Sequence, residues 1–313
     1  IDGIVCEAAL KALRSLKTRD KPFFLAVGFR KPHLPFCAPR KYWDLYDRAK
    51  IPAPVSDAHP AGAPEVALRS WKELEGYTDI PKDGQLAPGK VAELRHGYYA
   101  CVSYIDALVG RLLAEVKKIG LKEKTVICLW GDHGFHLGEQ GLWAKANNYE
   151  LSTRVPLILS VPGQANPGAK TNALVEFVDL YPTLTQICGL PAPAMSEGIS
   201  LLPLIEGRVR RRERAIGFHA NGMQAWTETR YKIVRTVKAK RGSSGAWELY
   251  DLLSDPFEEN DLASERPEVV ARMAKDFSLW ASSVQADQQK VVEKYYREKR
   301  SRKRTKAKAA ESR

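Results

Sequence analysis

The chain has 313 residues, of which 44% are hydrophobic, a content that supports one or two globular domains and excludes a disordered protein. Its net charge is +12, but eleven Lys and Arg and three Glu fall between Lys290 and Arg313, which leaves only +4 for the other 289 residues. Because the charge is concentrated in a terminal tail, we expect no nucleic-acid partner. No stretch reaches the roughly 18 consecutive apolar residues of a membrane span.

The first 90 residues combine two regular patterns with a long irregular segment. An amphipathic helix is predicted over residues 4–16, and the apolar run 22–28, bounded by Pro and Gly, predicts a buried strand. Residues 29–90 are rich in Pro, Gly and Ala. This segment is too long for an ordinary connection, and long irregular segments in compact domains are often functional.

The middle of the chain predicts a helix followed by two strands. Apolar residues recur at helical spacing over residues 91–116, and Gly120 ends the predicted helix. Residues 125–130 predict a buried strand, which is followed at once by Gly-Asp-His-Gly at 131–134. In α/β sheets, ligand sites form beyond the carboxyl ends of strands. A second strand is predicted over 155–161, and Asp179 marks the start of another helix.

The composition becomes Arg-rich between residues 207 and 214, where we predict a domain boundary. Beyond it, residues 231–235 and 247–251 alternate like antiparallel strands, and residues 267–282 predict a closing helix. We therefore expect an α/β domain over 1–207, a smaller α+β subdomain over 208–285 and a basic, disordered tail over 286–313.

The cysteines argue against a zinc cage or a dense disulfide framework. They are odd in number, far apart in the chain and include no C-x-x-C pair: Cys6, Cys37, Cys101, Cys128 and Cys188. Cys101 and Cys128 lie in apolar segments, so we expect both to be small core residues.

Asp132 and His133 are candidate metal ligands. A carboxylate oxygen and an imidazole nitrogen can bind a divalent cation when further carboxylates complete the coordination shell. The alternative is a turn in which Asp132 caps the backbone and the imidazole is exposed. The strand before the pair and the glycines around it favour the metal site.

Lys145 and His33 are candidates for the chemistry itself. Lys145 follows Asp132 by thirteen residues, and its ammonium could stabilise charge on a tetrahedral oxyanion; an exposed lysine without a role is the alternative. His33 lies between Pro32 and Pro35, which restrict the backbone and suggest a positioned side chain at a cleft. The alternative is an ordinary loop histidine.

Several segments, in order along the chain, resemble the type I sulfatases, in particular the iduronate-2-sulfatase group. They are PFFLAVGFRKPHLPF at 22–36, YYACVSYID at 98–106, the loop at 131–145, VDLYPTL at 178–184 and ELYDLLSDPFEEN at 248–260. Each segment is moderately specific, and the ordered set is highly specific.

The resemblance implies an alkaline-phosphatase-like α/β fold, with a central mixed sheet flanked by helices and a smaller antiparallel C-terminal subdomain. It implies hydrolysis of sulfate esters of sulfated carbohydrates, with one divalent cation, Ca²⁺, and a formylglycine made from cysteine. Asp132 and His133 match metal ligands, Lys145 matches a lysine that contacts the sulfate, and His33 matches a histidine near the scissile oxygen. Periplasmic, secreted or lysosomal localisation is also implied.

The family's C-x-P-x-R motif, which carries the modified cysteine, does not occur in this sequence. The segment from Cys37 to Lys41 comes close, but it has Lys where the motif has Arg and it directly follows the His33 motif, so we reject Cys37 as the nucleophile. We expect the nucleophile and an aspartate pair for the metal to lie upstream. Two alternatives remain: a phosphate or phosphonate ester hydrolase of the same superfamily, and an inactive fragment that binds anionic glycans through its tail.

Overall fold

The computed structural model describes residues 1–19, 21–64, 73–82, 86–191, 195–210, 214–220, 222–237 and 245–285. The chain forms two compact units, one of residues 1–60 and 68–212 and the other of residues 61–67 and 213–313. The predicted basic tail, 286–313, lies outside the described residues.

Two helices organise the first unit and confirm the predicted helical segments. Helix α1 (Asp2–Lys17) packs against the long helix α3 (Pro88–Lys118). Cys6, Leu10 and Leu108 form the buried core between them. The chain leaves α3 at Gly120, whose φ of 73° is readily adopted only by glycine. The other helices of this unit are short: α2 (Arg40–Trp43), α4 (Glu150–Thr153), α5 (Leu180–Ile187) and α6 (Leu202–Ile205).

The segment predicted to be irregular contains α2 and two short 3₁₀ helices, Arg48–Lys50 and Leu74–Gly76. Its apolar side chains share one buried cluster with α3. That cluster consists of Leu34, Phe36, Leu74, Ile80, Cys101 and Leu137. Backbone hydrogen bonds add to this packing, since the N–H of Gln140 donates to the carbonyl of Ser56 at 2.8 Å.

The strands of the first unit pair antiparallel. Strand β1 (Ile127–Trp130) pairs with β4 (Leu157–Ser160), and β2 (His136–Leu137) pairs with β3 (Trp143–Ala144). Residues 125–130 were predicted to form a buried strand, and this was wrong, because no residue of β1 is fully buried and Trp130 is 48% exposed. In β4, Ile158 is 60% exposed. Trp130 pairs with Leu157 and Ile158 pairs with Leu129, so the two exposed side chains lie on opposite faces of the pair.

Two further predictions need correction. Residues 22–28 form no strand, and Phe24 is 84% exposed. A strand needs a hydrogen-bonding neighbour, and the described part of the chain provides none for this segment. Cys101 is fully buried as predicted, and burial raises the pKa of its thiol to about 11, whereas Cys128 is only half-buried.

The second unit is an antiparallel sheet with one helix. Its strands are β5 (Ile216–Ala220), β6 (Met223–Thr227), β7 (Tyr231–Thr236) and β8 (Glu248–Asp251), paired in chain order. Helix α7 (267–285) supplies Met273, which packs on Ile233 and Leu249. Both predicted strands and the predicted closing helix are confirmed. None of the described helices of either unit is both long and apolar enough to cross a membrane.

Candidate active site

The loop that follows β1 holds Asp132 and His133 at the carboxyl end of the strand, as predicted. Two backbone hydrogen bonds fix the loop on either side of the pair: the N–H of Gly131 donates to the carbonyl of Pro156 at 3.2 Å, and the N–H of Gly134 donates to the carbonyl of Ser152 at 2.9 Å. The backbone at the candidate site is therefore attached to the chain segment around β4.

Asp132 and His133 form a compact donor pair. The backbone N–H of His133 donates to Oδ1 of Asp132 at 3.0 Å. Because Nδ1 of His133 lies 2.7 Å from the carbonyl oxygen of Gly134, Nδ1 must be the donor and Nε2 keeps the lone pair. Nε2 lies 3.7 Å from Oδ2 of Asp132. In metal sites, a histidine ligand is commonly oriented by a hydrogen bond from its other ring nitrogen, as Nδ1 of His133 makes here.

The fit to a divalent cation is chemically good but incomplete. One carboxylate and one oriented imidazole supply two ligands, whereas a Ca²⁺ site takes six to eight oxygen ligands. Among the described residues, no group of three or more His, Cys, Asp or Glu side chains is arranged to hold a metal. Asp132 is 87% exposed, so its carboxylate is accessible to a cation and to further ligands.

His33 is anchored by its own loop. Its backbone N–H donates to the carbonyl of Arg30 at 3.0 Å, and Lys31 Nζ donates to the His33 carbonyl at 2.7 Å. Its ring Nδ1 donates to the carbonyl of Leu34 at 2.7 Å. Both X-Pro bonds of this loop, before Pro32 and Pro35, are cis. These contacts fix the ring so that Nε2 is the nitrogen available to other groups.

Lys145 and His33 meet although 112 residues separate them in sequence. Lys145 follows β3, and its Nζ lies 3.4 Å from Nε2 of His33. The ring centroid of Phe135 lies 6.0 Å from the same ammonium. Both charged side chains are partly buried: 18% of the Lys145 side chain and 34% of the His33 side chain are exposed. The structure thus brings these two predicted site residues together.

Glu73 joins them, and the sequence analysis missed it. Its Oε1 lies 3.2 Å from Nε2 of His33, and its Oε2 forms an ion pair with Lys145. Burial alone would raise the pKa of Glu73, but the hydrogen bond and charge of Lys145, with the charges of His33 and His133, hold that pKa below its usual range. Burial and the Glu73 charge raise the pKa of Tyr77.

No motif could have revealed Glu73, because it lies in the irregular segment and its partners come from two distant loops. In the described part of the chain, no hydrogen bond joins Asp132 or His133 to Lys145 or His33. The link between them is electrostatic, since the His133 charge acts on Glu73. Cys37, rejected as the nucleophile, has an exposed thiol and donates its backbone N–H to the carbonyl of Pro35 at 2.7 Å.

Two family models match the chain. The sulfatase model covers residues 1–190, and the model for the C-terminal part of N-sulphoglucosamine sulphohydrolase covers residues 138–281. Among curated proteins, iduronate 2-sulfatase of Mus musculus is 36% identical over 217 residues, 60% of this chain and 39% of that protein. A sulfatase of Formosa agariphila is 32% identical over 248 residues, 77% of this chain and 46% of that protein.

Solved structures share the fold. A protein in complex with its substrate D-glucosamine-2-N,6-O-disulfate matches with a TM-score of 0.75 at 21% identity, over 90% of this chain and 69% of that one. A phosphonate monoester hydrolase from Silicibacter pomeroyi matches with a TM-score of 0.74 at 22% identity, over 90% and 60%. These matches confirm the predicted alkaline-phosphatase-like α/β fold.

The chain spans about two fifths to one half of the length of these curated relatives. The sulfatase model nevertheless matches well over half of the chain. The chain therefore belongs to the sulfatase family, and within that family it is similar to iduronate 2-sulfatase.

Proposed function

We propose that this chain is the C-terminal part of a sulfuric ester hydrolase that acts on sulfated carbohydrates. The observation that carries the proposal is the 3.4 Å distance between Nζ of Lys145 and Nε2 of His33. A lysine and a histidine from distant segments meet at the carboxylate of Glu73, which supports the assignment of an anion-binding role to this place. A sulfate ester presents such oxygens in a tetrahedral arrangement, and paired positive groups stabilise the charge that develops on them.

The names of the relatives support the substrate class. Iduronate 2-sulfatase and the protein solved with a disulfated glucosamine act on sulfated sugars according to their descriptions. We extend that substrate class to this chain and propose a location outside the cytoplasm: periplasmic, secreted or lysosomal.

Within the chain we assign residues 1–207 to the catalytic domain, 208–285 to a smaller subdomain and 286–313 to a basic tail.

The mechanism assigns one role to each site residue. Asp132 and His133 would hold a divalent cation, for which we propose Ca²⁺. That cation would supply Lewis-acid stabilisation of anionic oxygens, and a formylglycine from an upstream C-x-P-x-R segment would supply the nucleophile. Lys145 donates N–H hydrogen bonds to the sulfate oxygens. His33, whose Nδ1 is held by the Leu34 carbonyl, donates the Nε2 proton to the departing alkoxide.

The test uses the protein translated from the whole reading frame. We expect it to release sulfate from a sulfated monosaccharide, and we expect Lys145→Ala to lower kcat by about 10²- to 10³-fold, the cost of one oxyanion donor. The matched control is Lys11→Ala, an exposed lysine of α1, which should leave kcat unchanged. Equal turnover by the two variants would contradict the role of Lys145.

A phosphonate or phosphate ester hydrolase is the second candidate, because a phosphonate monoester hydrolase shares the fold. The two activities are separated by comparing kcat/KM for a sulfate ester and for a phosphonate monoester that share one leaving group. Higher kcat/KM for the phosphonate, in a protein without the C-x-P-x-R segment, would favour the second candidate.

A further inference from the structure

We propose that Glu73 is a positioning residue of the sulfatase site: it holds Lys145 in place and keeps His33 ready to donate its Nε2 proton. The inference rests on the proposed function, because it assigns Glu73 a part in the same reaction. Glu73 reaches both groups with its two carboxylate oxygens, Oε1 to His33 and Oε2 to Lys145. Among the described residues, no other acidic side chain forms an ion pair with His33 or Lys145.

The hydrogen bonds around His33 show what the carboxylate does. Nδ1 faces the Leu34 carbonyl at 2.7 Å, and Nε2 faces Oε1 of Glu73 at 3.2 Å. Both partners are acceptors, so this arrangement is satisfied when both ring nitrogens carry protons. The geometry therefore stabilises an imidazolium, the form that can give a proton to a departing alkoxide.

A second arrangement uses the same atoms. Nζ of Lys145 lies 3.4 Å from Nε2 of His33 and could donate to it if the imidazole were neutral. That contact is longer than the 3.2 Å distance from Nε2 to the carboxylate, and two positive groups without Glu73 would repel each other. The carboxylate therefore allows a charged His33 and a charged Lys145 to occupy one small region.

The charged and titratable groups facing Glu73 are few and mostly positive. They are Lys145, His33, His133 and, with its hydroxyl, Tyr77. Burial works against ionisation of Glu73, but the hydrogen bond and charge of Lys145 and the charges of His33 and His133 together lower its pKa, so the carboxylate stays anionic at neutral pH. Its side chain is 23% exposed, which leaves the partners little room to move.

Positioning matters because lysine is long and flexible. An unrestrained lysine loses substantial conformational entropy when it binds a sulfate oxygen, whereas one already held by Glu73 has lost much of that entropy before the substrate arrives. Misplacement of a catalytic group by about 1 Å can cost about 100-fold in rate. We therefore expect the effect of Glu73 mainly on kcat.

The experiment compares Glu73→Gln with Glu75→Gln in the protein from the whole reading frame. Glu75 lies in the adjacent 3₁₀ helix Leu74–Gly76, so its substitution removes one negative charge nearby. For Glu73→Gln we expect kcat about 10- to 100-fold lower and KM changed by less than about threefold. We also expect partial recovery of kcat in Glu73→Asp. Glu75→Gln should match the wild type in kcat and in KM.

Three results would overturn the proposal. One is a Glu73→Gln variant that keeps wild-type melting temperature, kcat and KM. Another is a Glu73→Gln variant with lower KM and unchanged or higher kcat, since the Glu73 carboxylate would then merely compete with the substrate sulfate for Lys145. The third concerns ¹⁵N NMR of the His33 ring, where we expect chemical-shift changes in Glu73→Gln and none in Glu75→Gln; identical spectra would overturn the proposal. If the wild type releases no sulfate, the proposed function fails, and the NMR comparison still decides the role of Glu73.

Discussion

The Cβ atom that Gly134 lacks would lie 1.9 Å from the carbonyl oxygen of Leu151. Real Cβ atoms do not approach an oxygen this closely, so any side chain at 134 must displace backbone on one side or the other. The backbone of Gly134 is part of the loop that carries Asp132 and His133. The absence of a side chain at 134 is thus a condition for the geometry of the candidate metal ligands.

Gly134→Ala should lower both metal affinity and turnover of the protein from the whole reading frame. We expect at least a 10-fold weaker response to added Ca²⁺, because a displaced loop misplaces the two ligands. The measurement is Ca²⁺-dependent sulfate release. Gly110→Ala is the control: no atom lies within 4 Å of the added Cβ in α3, and we expect unchanged turnover with a gain of about 1 kcal/mol in stability. Equal Ca²⁺ dependence in the two variants would contradict the loop argument.

His133→Ala removes the oriented imidazole itself. We expect loss of sulfate release and a Ca²⁺ Kd raised by about 10- to 100-fold or more. Even substitution of the residues that hydrogen-bond to metal ligands lowers metal affinity by about that factor. Calorimetry of the apoprotein with Ca²⁺ measures the second effect independently of turnover. His219→Ala, which removes an exposed histidine of β5, should bind Ca²⁺ like the wild type. Unchanged turnover in His133→Ala would contradict the metal assignment.

Cys37→Ser tests the rejected nucleophile. Cys37 has the near-motif Cys-Ala-Pro-Arg-Lys, but its thiol is exposed and its backbone is fixed in the turn after Pro35. We expect kcat and KM of Cys37→Ser to equal those of the wild type in the protein from the whole reading frame. A loss of sulfate release of 100-fold or more, with unchanged melting temperature, would instead identify Cys37 as the nucleophile.

Helices and the strands of the second unit could be predicted because their signals are local. The apolar spacing over 91–116 predicts the helix α3, and Gly120 marks its end. The residues of β7 and β8 alternate in the same way, and their register pairs Ile233 with Leu249. In each case the sequence pattern and the packing partner lie within one element or its neighbour.

The predictions that failed depend on what lies beside an element. The apolar residues at 22–28 satisfy every local criterion for a buried strand, but burial requires a neighbouring strand, and the described residues supply none. Glu73 shows the same limitation in the site. Its role depends on Lys145 and His33, which lie 72 and 40 residues away along the chain, and the folded positions of two loops decide the contact.

The second unit contains a fully buried ion pair that has no part in the proposed chemistry. Lys232 of β7 is 0% exposed and Glu258 is 1% exposed, with Nζ 3.0 Å from Oε1. Taking two charges out of water is costly, and their attraction offsets this cost only while both partners are present. Removing one partner weakens the compensation of the other charge in the core.

Glu258→Gln should therefore destabilise the protein by about 3–5 kcal/mol, measured as the free energy of unfolding in urea. The double variant Lys232→Met with Glu258→Leu removes both charges, and we expect it to lose clearly less than the sum of the single variants. Arg272→Ala provides the exposed comparison, because Arg272 is 51% exposed in its pair with Glu228 and such pairs contribute about 1 kcal/mol or less. If Glu258→Gln cost no more than Arg272→Ala, the Lys232 ammonium would have to find other compensation in the core, and the stabilising role assigned to Glu258 would be wrong.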